Sequence, residues 1–210
     1  MSTLRPCLTI TGALLVLCCG VYPALVTAAA SVIAPSGANG SLLVEDGKVV
    51  GSRLVGQSVA DWKAHPEYLW GRPSAASEDA ATKLTVSSGS NYGPTNATLV
   101  DEVKARVEIL RATGVSGPIP ADLVTKSASG LDPHVSPEAA AIQAPRIAAA
   151  RKITPSDVQA IVTATTEWST LGMLGEPRVN VLLVNRELDR RYPVAPPPSP
   201  VTEATAPPSP

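Results

Sequence analysis

The chain contains no phenylalanine, two histidines and three cysteines, and aromatic residues make up 3% of its 210 positions. Each shortage closes a class of structure. Cys7, Cys18 and Cys19 all lie in the first twenty residues, so the remainder of the chain can form neither a disulfide nor a thiolate metal site. His65 and His134 are far apart, and no carboxylates stand at ligand spacing around them, so no metal centre is expected. Acidic and basic residues nearly balance, at a formal net charge of -1, and are spread along the chain. That leaves no basic patch for nucleic acid and no acidic run for cation storage. Without phenylalanine, a core must be built from Val, Leu, Ile and Ala, and modest stability without a partner is expected.

Catalytic signatures are missing as well. A phosphate-cradling G-x-x-x-x-G-K-[ST] loop is absent, since Gly47-Lys48 lacks the upstream glycine and is followed by Val49. There is no D-K-T triplet, no G-x-S-x-G, and no serine three residues before a lysine. An enzyme of these classes is therefore not expected, although a triad assembled around His134 from distant residues stays open at this level.

What the chain does have begins at its N-terminus. After Arg5 the next charged residue is Glu45, and residues 8–26 are dominated by Leu, Val, Ile, Ala and small side chains. Nineteen helical residues rising about 1.5 Å each cross a hydrocarbon core of about 30 Å. The expected organisation is a short cytoplasmic N-terminus (1–7), a transmembrane helix (8–30), an extracytoplasmic domain (31–192) and a Pro-rich tail (193–210). Arg5 on the near side favours an N-in, C-out orientation. Gly12, Ala13, Leu14, Leu15, Val16, Leu17 and Gly20 would form the anchor, with its small residues available for close helix packing. The alternative is a signal peptide cleaved after Ala30, because 28–30 is an Ala triplet, which would release a free enzyme or binding module. Against it, the apolar stretch exceeds a usual signal core and continues through Val32 and Ile33.

Beyond the anchor, apolar runs at 42–44 and 48–50 flank Asp46-Gly47, a pair suited to a tight hairpin. Residues 61–96 are rich in Gly, Pro, Ser and Ala and read as long shaped loops. Asn96 caps an expected helix over 97–112, with Leu99, Val103, Val107 and Leu110 on one face and Gly114 ending it. Glu102 with Arg106 and Lys104 with Glu108 are placed to pair on its solvated face. Ser136-Pro137-Glu138 opens a second, Ala-rich helix that Pro145 should kink, and Thr154 with Asp157 starts a third toward Trp168. The apolar run 178–185 reads as a buried strand. The fold class is α+β, one small mixed domain behind one span. Eight of the last eighteen residues are proline, so the tail is expected to stay disordered.

Several segments in order resemble one family, the C subunit of the bacterial Kdp complex, a high-affinity ATP-driven potassium pump. They are Gly51-Ser52-Arg53-Leu54-Val55-Gly56-Gln57, Gly71-Arg72-Pro73-Ser74, Ser88-Gly89-Ser90-Asn91 with Gly93-Pro94-Thr95-Asn96, and the stretch 127–137 containing Ser129-Gly130-Leu131-Asp132-Pro133. Pro145-Arg146-Ile147 and Pro177 leading to Val179-Asn180-Val181 complete the set. The family's Ser-Gly-Gly-Ser is Ser87-Ser88-Gly89-Ser90 here, its Gly-Gln-Pro is Gly175-Glu176-Pro177, and the Pro-rich tail is additional. The resemblance implies an accessory, non-catalytic subunit in a bacterial cell membrane. Its implied partners are a channel-like potassium-translocating subunit, a P-type ATPase subunit and a very small single-span subunit. Potassium would be the transported ion and ATP would act through the complex, the family being described as a catalytic chaperone that raises the ATP affinity of the ATPase subunit.

Within that frame Gly56, Gln57, Gly71, Arg72, Pro73, Ser74, Ser88, Gly89, Ser90, Asn91, Ser129, Gly130, Leu131, Asp132 and Pro133 are the interface candidates. Glycines that permit unusual φ beside prolines that lock it would hold these loops in one shape. The Ser-rich loop 87–91 reads either as a plain loop or as amides exposed to an anion. Asp132 reads as a turn residue or as a charge attracting cations near a pore.

Overall fold

The computed structural model describes residues 3–45, 47–57, 62–79 and 85–194. It divides into two compact units, residues 1–55 and 56–210. The Pro-rich tail from 195 onward and Asp46 of the hairpin turn lie outside the described residues.

In the first unit a continuous helical stretch, Leu4–Ile33, runs for 30 residues with a mean hydropathy of 2.1 over its most apolar window. Arg5 is its sole charge. It comprises α1 (Leu4–Val16), a widened π turn (Leu17–Val21) and α2 (Tyr22–Ile33), followed by the short α3 (Pro35–Ala38). Pro23 supplies a reason for the widened turn. It has no N–H, and in a regular helix its ring would collide with the carbonyl of Cys19, so one wider turn upstream relieves the clash. The hairpin forms as expected, with β1 (Leu42–Glu45) antiparallel to β2 (Lys48–Ser52) and a register irregularity between Leu43 and Val44. Gly47 supplies the positive φ of the turn, +75°.

The second unit mixes helix and strand, in agreement with the α+β expectation. Among the described residues of the loop-rich stretch 62–96, regular structure is limited to β3 (Ser77–Glu78) paired with β4 (Thr85–Val86) and one 3-10 turn, Trp62–Ala64. Helix α4 spans Ala97–Ala112, capped by the Asn96 side chain accepting from the Thr98 N–H, and Gly114 follows it at φ +89°. Of its apolar face only Leu110 is buried, while Leu99, Val103 and Val107 are half-covered. Glu102 pairs with Lys126, at 2.8 Å, across to the next loop.

Strand β5 (His134–Val135) leads into α5 (Pro137–Ala141), capped by Ser136, and then α6 (Ala144–Arg151). The expected kink at Pro145 is a break just before it, with the proline opening α6 in the first turn, where its missing N–H costs nothing. Helix α7 (Pro155–Thr165) begins with a full capping box, Thr154 and Asp157 bonding each other's backbone. After β6 (Thr166–Glu167) the expected strand over 178–185 proves wrong in extent. Only Arg178–Asn180 (β7) is strand, and Val181–Arg191 is helix α8. Asn180 switches the period by accepting the Leu183 N–H as an N-cap, and Val181, Leu182, Val184, Asn185 and Leu188 then share one buried face.

The three-stranded sheet has β7 at its centre, antiparallel to β5 and β6, with Val135 and Thr166 flanking the fully buried Val179. Around it the core is aliphatic, including Ile147, Val158, Ile161, Val184 and Leu188. Ala139, Ala140, Ala144 and Ala148 are buried with it, and their small side chains let α5 and α6 pack closely on α7. Leu69 and Trp70, from a segment with no secondary structure of its own, complete the core.

Candidate functional site

The interface candidates converge on Gly130. Its φ of +68° belongs to the left-handed region, and a Cβ there would fall 2.7 Å from both the Ala76 nitrogen and the Ser88 oxygen. Two backbones therefore close over one glycine, which no other residue could occupy without moving them. Side chains then stitch the same junction. Ser74 Oγ donates to the Gly130 carbonyl at 2.7 Å and accepts the Ala76 N–H at 2.9 Å. The Ser129 carbonyl accepts both the Ser88 N–H at 3.1 Å and the Ser87 hydroxyl at 2.8 Å. The Ser127 N–H reaches the Pro73 carbonyl at 3.2 Å. A Cβ on Gly89 would strike the Ala128 carbonyl at 2.7 Å, and one on Gly56 the Asp132 carbonyl at the same distance. The Gly56 N–H also donates to the Leu131 carbonyl, at 2.8 Å.

Asp132 serves the turn. One of its oxygens accepts the His134 N–H at 3.0 Å and the other accepts from Arg72 Nη1 at 3.1 Å, while Arg72 Nη2 donates to the Lys126 carbonyl. Its charge is thus paired within the fold. Pro133 hands the chain to the sheet, its carbonyl accepting the Val181 N–H at 2.9 Å. In the Ser-rich loop, the Ser88 amide and the Ser87 hydroxyl are spent on Ser129. Ser90 is half-buried, and Asn91 adopts a left-handed φ of +53°. Gly71 departs from expectation: its φ is not in the left-handed region, and a Cβ there would make ordinary contact with Val181 at 3.7 Å. It offers room rather than an unusual turn.

The irregular segment around Leu69 and Trp70 is held by side chains acting as strand partners. Asn185 accepts the Leu69 N–H at 2.7 Å and donates to the Leu69 carbonyl at 3.0 Å. Gln143 does the same for Trp70, at 2.9 and 3.1 Å. Both amides are 1% exposed, so each substitutes for a missing strand where an unpaired peptide group would be costly. Asn185 also donates to Gln57 Oε1, at 2.8 Å, tying that candidate to the same network. Arg146 lies 3.8 Å over the Trp70 ring and donates to the Pro66 and Tyr68 carbonyls. Burial pushes its guanidinium down to about 10, with Glu67 opposing. Arg151, whose side chain is fully buried, grips the Glu67 and Tyr192 carbonyls and Asp189. The sequence reading missed these roles for Gln143, Asn185 and Arg151; a buried amide on an otherwise apolar helix face was the available signal for Asn185.

Between α4 and the 63–70 segment runs an open groove of about 550 Å³, lined by Trp70, Ile109 and Ala112 with Lys63, Glu108 and Arg146 at its polar edge. His134 sits among Asp132, Glu167 and Arg178, and burial and then Arg178 lower its pKa below the usual 6.5. Among the described residues no three of His, Cys, Asp and Glu come together in a group able to hold a metal ion.

Loops locked backbone to backbone, with guanidinium and amide groups consumed in holding carbonyls, define a class: a preorganised α+β domain in a chain that also carries one helix apolar enough to span a membrane. The family model described as K+-transporting ATPase, c chain, matches residues 4–190. Among curated relatives, the potassium-transporting ATPase KdpC subunit of Dechloromonas aromatica is 52% identical over 190 residues, covering 90% of this chain and 97% of its own length. That of Caulobacter vibrioides is 50% identical over 194 residues, covering 92% and 95%. That of Paraburkholderia xenovorans is 52% identical over 170 residues, covering 80% and 86%.

The chain belongs to the KdpC family, the c chain of the K+-transporting ATPase. It is thereby an accessory subunit of a potassium-transport complex, in agreement with the resemblance carried by the motifs. The alternative of a released enzyme or binding module finds no support in these relatives.

Proposed function

We propose that this chain is a non-catalytic assembly subunit, anchored with its N-terminus in the cytoplasm. Its folded domain lies on the extracytoplasmic side against the outer mouth of the channel-like potassium-translocating subunit. There it stabilises the association with the P-type ATPase subunit and the very small single-span subunit. The observation that carries this reading is the interlocked junction at Gly130: it spends the family's motif residues on making one rigid surface instead of presenting reactive groups. The 30-residue apolar helix supports the anchored arrangement, with Arg5 the single charge near its start. Among the described residues, nothing beyond their own helix lies within 4 Å of a Cβ placed at Gly12 or Gly20, so their small size suits close packing by a neighbouring helix.

This arrangement makes any effect on ATP affinity indirect, because an outward-facing domain cannot reach cytosolic nucleotide. Coupling would pass through the partner subunits as a shift in their conformational equilibrium. The test is photolabelling of the purified complex with a reactive ATP analogue. Label confined to the ATPase subunit is expected, whereas strong labelling at residues 87–91 of this chain would defeat the proposal.

A further inference from the structure

The connection between β6 and β7 does something the core does not need. No charged residue occurs from 168 to 175, and four large apolar side chains stand out into solvent: Trp168 at 70% exposure, Leu171 at 86%, Met173 at 79% and Leu174 at 59%. The loop is built, not slack. Thr170 and Leu174 exchange backbone hydrogen bonds at 2.8 and 3.0 Å, and Gly172 donates to the Ser169 carbonyl at 3.0 Å. At its base β6 and β7 are paired, and Glu167 is bridged to Arg178 at 2.9 Å. Leu171 holds a left-handed φ of +56°, a conformation that costs a branched apolar residue more than it would Gly or Asn. A strained leucine thus holds its side chain almost wholly in water, where it contributes little to the packing of the domain.

We propose that this hairpin tip is an anchoring knob that seats in an apolar hollow on another membrane-embedded subunit of the transport complex. The inference rests on the subunit reading above and adds the contact that carries it. Three observations select the occupant. The four side chains expose on the order of 500 Å², the size at which apolar patches mark contact sites. That falls short of the roughly 800 Å² per partner of a stable stand-alone interface, so a second copy of this chain held by the tip alone is disfavoured. A partner in the same membrane needs less, because tethering raises its effective concentration. Charge disfavours lipid: interfacial membrane segments carry Lys or Arg beside their apolar residues, whereas here the flanks are Glu167 and Glu176, with Arg178 engaged by Glu167. Met173 beside the rigid turn supplies an adaptable surface for close fit.

The test uses the full chain co-expressed with its partner subunits. With Leu171 replaced by the photo-crosslinking p-benzoyl-phenylalanine, irradiation of membranes is expected to yield an adduct with a partner subunit. Adducts only with lipid, only with a second copy, or with nothing would overturn the proposal. The double variant Leu171→Ser, Met173→Ser removes no core contact and should keep the wild-type melting temperature while reducing co-purification with the partners by at least about tenfold. Undiminished co-purification of that variant would sink the knob alone. Failure of the wild-type chain to co-purify with a P-type ATPase would sink the subunit reading itself, so the two failures are distinguishable.

Discussion

Replacing Gly130 with alanine tests whether the loop junction is what makes the domain rigid. Two penalties act together there. An alanine at φ +68° incurs the left-handed cost of about 1–2 kcal/mol. Its Cβ would also meet the Ala76 nitrogen and the Ser88 oxygen at 2.7 Å, both backbone atoms of other loops, and relieving such overpacking costs about 1–3 kcal/mol. Together these come to about 2–5 kcal/mol. For a domain of about 150 residues, each kcal/mol lowers the melting temperature by about 2–4 °C, so a fall of about 4–20 °C is expected. The assay is thermal unfolding of the full chain in detergent, followed through tryptophan emission, since Trp70 is 6% exposed and lies in the core. Gly172→Ala is the matched control: φ there is +74°, but a Cβ would meet nothing within 4 Å, so only the backbone cost applies. Equal losses in the two variants would refute the claim that the loops close on Gly130.

Asn185→Leu removes every hydrogen-bond partner the Leu69 peptide groups have in Asn185 and leaves them buried, so a loss of about 2–4 kcal/mol in urea denaturation is expected; a change below about 0.5 kcal/mol would show that the 69–70 segment is held by packing alone. The His134 pKa is lowered in the folded state by burial and by Arg178, so the unfolded chain binds the extra proton. Stability should therefore be fully present above pH 6.5 and decline as the pH falls below it, and His134→Gln should flatten that limb of the stability–pH curve. An unchanged limb in the variant would assign the decline to other groups.

The way the cationic groups are used supports the proposed indirect role. Arg72, Arg146 and Arg151 are the cations a nucleotide-binding reading would want free, yet each is engaged with carbonyls or carboxylates of its own fold. Arg146 additionally stacks on Trp70, which favours a planar, charged group that lysine would not replace. Under the function proposed above, such a subunit would act through shape, by biasing which arrangement of its neighbours is stable.

Much of the local structure was legible because its causes are local. Asn96, Ser136 and Thr154 cap helices through bonds spanning two or three residues, and each helix starts where its cap predicts. Gly47 turns the hairpin for the same short-range reason, and the apolar length of the first helix is a property of composition. The run 178–185 is ambiguous because an uninterrupted apolar stretch fits a buried strand and a buried helix equally, and it is Asn180 acting as a cap, against the valines around it, that makes 181–191 helix.

The amino-acid sequence by itself determined the aliphatic core, the cysteine-free domain, the capped helices and the family, since each rests on composition, short spacing or ordered motifs. Only the tertiary structure decided that Gly130 is where loops from 76 and 88 meet, and that Gln143 and Asn185 replace strand partners for residues 73 and 116 positions away. It alone left an apolar hairpin tip uncovered. Contacts between distant segments, and the absence of one, depend on how the whole chain closes, and no local pattern encodes them.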